Sequence, residues 1–96
     1  MRRSDVLETL RRRRESWRTY GVRRLGLFGS FAYDRARGDS DIDLLVEFER
    51  ETGYFGLVRL RTRLEDLLGR RVDIVTPAAL KGPIRQRILE AVIYVE

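Results

Sequence analysis

The sequence predicts an α/β fold of the α+β kind: a small mixed β-sheet of three to four strands flanked by helices. Three observations predict it. Helical and strand-like segments alternate along the chain, which argues for one sheet covered by helices. About a dozen residues join the first two strand-like runs, so the second begins near the end where the first finishes and an antiparallel pair is expected. The 96 residues suffice for a single domain, residues 1–96, with one modest core.

Residues 5–20 read as a helix. Asp5 can cap it, with Glu8 three residues on. Val6, Leu7, Leu10 and Trp17 share one face, Arg11–Arg14 wrap the outside, and Gly21 is a natural stop. Val22–Phe28 is the first strand. Residues 29–40 form the connection, with room for one or two helical turns from Ser30. Asp41–Phe48 is the second strand, with Ile42, Leu44, Leu45 and Val46 as its apolar body. Residues 54–68 are the clearest helix: Leu57, Leu60, Leu64, Leu67 and Leu68 recur at helical spacing and Gly69 ends it. Arg71–Val75 is the third strand. Thr76-Pro77 opens a short helix, which Gly82-Pro83 breaks. Residues 84–91 are the last helix, with Ile84 and Ile88 facing inward, and Val92–Val95 either extends it or forms a short strand.

Composition narrows the chemistry. No apolar run approaches the roughly 20 residues of a membrane span. No apolar h-region follows the charged Met1-Arg2-Arg3 start, so no signal peptide is expected and the chain reads as cytoplasmic. The absence of cysteine and histidine removes thiolate and imidazole ligands, so any metal must be bound by oxygen, as Mg²⁺, Mn²⁺ or Ca²⁺ is. The net charge of +5 is carried almost wholly by arginine, Lys81 being the only lysine. That balance suits either a basic surface without a dedicated role or an anionic partner.

The carboxylates of Asp41-Ile42-Asp43 carry the chemical argument. Side chains alternate along a strand, so Asp41 and Asp43 point the same way, their Cα atoms roughly 7 Å apart, while Ile42 and Leu44 enter the core. A divalent cation converts the repulsion of such a pair into binding. Asp73 interrupts the apolar third strand. If that strand lies beside the second, Asp73 completes a triad of oxygen ligands and is placed to act as general base. Taken singly, Asp-x-Asp reads as surface polarity, Asp73 as an edge-strand charge, and Gly29-Ser30 as a turn. Their joint order is the signal. Gly29 lets a phosphate approach the backbone, and Ser30 adds a hydroxyl donor and, if it opens a helix, free backbone N–H groups. Arg35 and Arg37 lie in the same connection. Phosphates at one lip and carboxylates with metal at the other suit displacement at phosphorus.

These residues resemble the nucleotidyltransferase superfamily of DNA polymerase beta. Gly29-Ser30, ten residues, then Asp41-Ile42-Asp43 matches its pattern, and Asp73 in Val72-Asp73-Ile74-Val75 fits the third carboxylate on a following strand. The chain is similar to the minimal nucleotidyltransferases, or MNT proteins, across nearly its whole length. The resemblance implies the nucleotidyltransferase fold core. It also implies that Asp41, Asp43 and Asp73 are catalytic and bind Mg²⁺ or Mn²⁺, and that Gly29 and Ser30 hold ATP as substrate. The loop after Gly-Ser often reads Arg-Ala-Arg-Gly in these proteins. Here it is Phe31-Ala32-Tyr33-Asp34, and Arg37 is the substitute candidate for nucleotide contact. The implied activity is transfer of AMP to a hydroxyl of a partner, the HEPN RNase toxin for which such proteins act as antitoxins; the sequence leaves open whether the chain forms a homo- or hetero-oligomer. The alternatives are an antitoxin that neutralises by binding alone and, ranked lowest, a nucleic-acid-binding module. The last requires aromatics interleaved with basic residues on one surface, whereas Trp17 and most other aromatics fall at core-like positions.

Overall fold

The computed structural model describes residues 1–95. In chain order the elements are helices α1 (Arg3–Arg12) and α2 (Arg14–Arg18), strands β1 (Val22–Phe28) and β2 (Ile42–Phe48), helix α3 (Tyr54–Leu68), strand β3 (Val72–Val75), a 3₁₀ turn (Pro77–Ala79), helix α4 (Gly82–Ala91) and strand β4 (Ile93–Tyr94). The four strands form one sheet in the order β3-β2-β1-β4. β1 pairs antiparallel with β2 and with β4, whereas β2 and β3 run parallel. Helix α3 is the crossover that a parallel pair requires. The expected mixed sheet and its antiparallel first pair are present, and the third strand lies beside the second, the condition on which Asp73 could join the other acids.

Strand alternation divides the sheet into two faces. Leu25 and Leu27 of β1, Ile42, Leu44 and Val46 of β2, and Val72 of β3 lie in one buried cluster with Val6, Leu10, Trp17, Leu60, Leu64 and Leu68 of the helices. α1, α2 and α3 thus cover this face, and burial of their apolar stripes supplies most of what holds the chain together. The other face carries Asp43, Leu45 and Glu47 from β2. Gly26 of β1 leaves space there, since a Cβ at that position would collide with the Val92 side chain.

Four expectations are corrected. The first helix is two helices broken at Arg13 (φ −101°, ψ 26°). The Trp17 indole N–H donates to the Leu10 carbonyl at 2.8 Å, taking the acceptor that residue 14 would use in an unbroken helix. Asp5 is the third residue of α1 rather than its cap, and its carboxylate accepts from the Arg2 N–H at 2.8 Å. Gly82-Pro83 starts the last helix instead of breaking one, because a proline in the first turn gives up no intrahelical donor. That helix, α4, buries none of its residues. Ile84, expected inside, is 62% exposed, whereas Ile88, also expected inside, is half-buried. Val92–Val95, readable either way, supplies β4 on the outer edge of β1.

Candidate active site

Register places the acids. Asp43 stands opposite Asp73 in the parallel β2–β3 pair and opposite Phe28 in the antiparallel β1–β2 pair. Directly opposed residues share a face, and neighbouring strands lie about 4.8 Å apart. Asp43 and Asp73 are therefore side by side on the face away from the core, as the alternation of β2 requires. Asp43 is half-buried and Asp73 is exposed. Asp41 immediately precedes β2 and is half-buried as well.

Electrostatics sets Asp43 apart. Burial raises its carboxyl, and the negative charges of Asp73 and Asp41 raise it further, from 3.8 to about 6. Glu47, four residues along the same face, is the contrast. Burial pushes its carboxyl up too, but hydrogen bonds from Arg23 and Arg24 outweigh this and hold it below its ordinary value. Its ion pairs with those residues measure 2.8 and 2.7 Å. Among the described residues no cation pairs with Asp43 or Asp73. One acid on this face is neutralised from within the chain, and the other two are left to something outside it.

Gly29 closes the inner side of the site. Its φ is +76°, and a Cβ there would run into the Asp43 carboxylate. Both facts demand glycine, so the Gly-Ser corner and the acid are fitted to each other. Beyond it the connection, which had room for one or two helical turns from Ser30, makes overlapping turns. The Ser30 carbonyl accepts from the N–H groups of Tyr33 and Arg35 at 3.3 and 2.8 Å, and that of Gly29 accepts from Ala32 at 3.1 Å. Phe31 and Ala32 are buried and anchor these turns in the core.

Arg37 is exposed. Its backbone N–H donates to the Ser40 hydroxyl at 2.8 Å, and its side chain enters no ion pair among the described residues. Asp41 has a partner that the sequence did not reveal: Arg71 Nε donates to its Oδ1 at 3.1 Å. A second missed residue is Arg70. Its Nη2 donates to the carbonyls of Arg37, Gly38 and Ser40 at 3.0, 2.9 and 3.3 Å. Its guanidinium also lies 5.1 Å from the centre of the Phe31 ring. Nothing in the sequence separates these two adjacent arginines from the many others, since their roles depend on the return of residues 37–41 to the start of β3.

The donor set fits a hard divalent cation. It offers carboxylate oxygens alone, and the raised Asp43 carboxyl records negative charge that a cation would relieve. The fit is not preassembled: among the described residues no three acids converge closely enough to share one ion. The carboxylates are near enough to repel and are not drawn together, with one oxygen of Asp41 turned to Arg71.

Comparison with known proteins agrees with this geometry. The nucleotidyltransferase domain model matches residues 6–95. The chain is 43% identical to the protein adenylyltransferase MntA of Thermococcus cleftensis, over 79% of this chain and 77% of that protein. A solved structure described as a minimal nucleotidyltransferase superposes with a TM-score of 0.74 at 45% identity, covering 91% of this chain and 93% of that one. A chain of the complex between tri-AMPylated Shewanella oneidensis HEPN toxin and MNT antitoxin gives a TM-score of 0.68. Its identity is 17%, over 94% of this chain and 71% of that one, so the likeness is one of fold.

Proposed function

The chain belongs to the nucleotidyltransferase domain family and is a nucleotidyltransferase; from that premise we propose that it transfers AMP from ATP to a hydroxyl of a partner protein. The partner proposed is a HEPN-type toxin, for which the chain would act as a cytoplasmic antitoxin. No described helix is long and apolar enough to cross a membrane. The single observation that carries the reading is the register of Asp43 with Asp73 beside the Gly29 corner.

The proposed roles follow from position. Asp41 and Asp43 hold Mg²⁺ or Mn²⁺, and Asp73 adds a ligand on the neighbouring strand. A bound divalent cation supplies charge neutralisation on the polyphosphate. Gly29 lets the triphosphate approach the backbone, the Ser30 hydroxyl donates to it, and Arg37 adds charge from the loop. In the transfer, the acceptor oxygen forms a bond to the α-phosphorus while the bond from that phosphorus to the bridging oxygen breaks, and pyrophosphate leaves. Asp73, the more exposed of the strand pair, takes the hydroxyl proton.

The Arg71–Asp41 ion pair favours one other reading, an antitoxin that neutralises its toxin by binding alone with the acids left unused. One experiment separates the two. The chain, its HEPN-type partner, Mg²⁺ and ATP labelled at the α-phosphate are incubated together. The catalytic reading requires label on the partner, lost in Asp43→Asn. Tight binding of the partner with no label transferred supports the steric reading.

A further inference from the structure

We infer that Arg70 is a positioning residue for the polyphosphate of the nucleotide, fixing the loop that joins the Gly29–Ser30 corner to Asp41. The inference rests on the nucleotidyl-transfer reading and names a residue to which nothing in that reading assigns a role.

The first half of the loop is anchored by buried Phe31 and Ala32 and by turn bonds, but residues 37–40 have few other contacts to hold them. Arg37, Gly38 and Asp39 are exposed and Ser40 is half-buried. Beyond Arg35 its backbone contributes one turn bond, Ser40 N–H to the Arg37 carbonyl at 3.1 Å, beside the Arg37 N–H that donates to the Ser40 hydroxyl at 2.8 Å. Arg70 reaches it from the residue pair before β3 and bonds three of its carbonyls from one nitrogen. The same guanidinium packs on Phe31, which is 1% exposed. Phe31 follows Ser30 directly, so one planar group touches both ends of the loop. A lysine ammonium lacks the planar fork that can lie on a ring and donate from its edge at once.

Arg70 also carries charge that the chain does not cancel, since it enters no ion pair among the described residues. Its Nε is buried without a partner. An unsatisfied buried donor is costly, and here it accompanies a guanidinium held by the loop carbonyls. With Asp41 and Arg71, Arg70 lines a cleft that includes Gly38, Asp39 and Ser40. A positive group clamped beneath the loop carrying Arg37 favours a polyanion on that loop.

The test uses Arg70→Met, which keeps the stem over Phe31 and removes the donors, and Arg70→Lys, which keeps the charge and removes the fork. Calorimetry measures binding of magnesium with a non-hydrolysable ATP analogue, and steady-state transfer measures KM for ATP and for the partner protein. Arg70→Met raises the nucleotide Kd and KM at least tenfold and leaves the partner KM within twofold. Arg70→Lys recovers less than a third of that loss. A loop role without bearing on nucleotide is shown if amides 38–41 exchange faster in Arg70→Met while the nucleotide Kd stays within twofold of wild type, and that result overturns the inference. If Arg70→Met does not fold, full nucleotide affinity in Arg70→Lys overturns it equally. Wild-type protein that binds no magnesium nucleotide overturns the transfer reading itself, which is a different failure.

Discussion

The Asp43 carboxylate fills the space that a Cβ at residue 29 would take, so a side chain there would have to push it aside. The glycine at the end of β1 and the acid one strand away form a single fitted unit. The Gly-Ser and Asp-x-Asp motifs, twelve positions apart counted from Gly29 to Asp41, are thus one constellation in space.

Gly29→Ala tests that fit. Alanine at a φ of +76° is strained, and its methyl group displaces the Asp43 carboxylate. Together these cost at least about 2 kcal/mol of stability, read from urea unfolding. Because Asp43 must turn away, divalent-ion affinity measured by calorimetry falls more than tenfold. An alanine variant with wild-type stability and metal affinity would show that the contact is unimportant.

Asp43 makes stability depend on pH in a defined direction. Its carboxyl titrates near 6 in the folded chain and near 3.8 when unfolded. Between those values the native state binds more protons, so stability falls as pH rises through the window. Asp43→Asn removes this fall. Without divalent ions the variant melts higher than wild type at pH 7.5, by on the order of 5 °C, and the gap closes below pH 4. Magnesium raises the melting temperature of wild type at pH 7.5 more than at pH 5, and leaves that of the variant nearly unchanged.

Arg71 competes with a cation for Asp41. Its side chain is 79% exposed, and an ion pair of that kind contributes about 1 kcal/mol at most. Arg71→Gln therefore leaves stability nearly unchanged and tightens Mn²⁺ binding by up to about fivefold. Weaker binding in this variant would mean that Arg71 assists the site by orienting Asp41.

Much of this site was legible because it depends on strand alternation. The expected spans Val22–Phe28 and 54–68 are the observed ones; whether β3 lies beside β2 was a condition the sequence left open, and the parallel pairing meets it. Once β3 lies beside β2, Asp43 and Asp73 must share a face. What stayed hidden depends on contacts between distant residues of common types. Arg70 and Arg71 are adjacent and chemically identical, yet one pins a loop and the other holds an acid. The break at Arg13 follows from the Trp17 indole capturing a carbonyl seven residues earlier, and helical spacing carries no trace of that. Ile84 sits on an amphipathic pattern, but the pattern does not say whether the sheet has room for the helix. Val92 and Tyr94 take the space over Gly26, and α4 stays outside.

The most direct measurement is a crystal structure of the chain grown with Mn²⁺ and a non-hydrolysable ATP analogue, with the metal located by its anomalous signal. The expected result is a manganese peak bounded by Asp41, Asp43 and Asp73, the Arg71–Asp41 pair broken, and the polyphosphate against Gly29 and Ser30. Manganese bound elsewhere, with Asp41 still paired to Arg71 and the nucleotide away from Gly29, would contradict it.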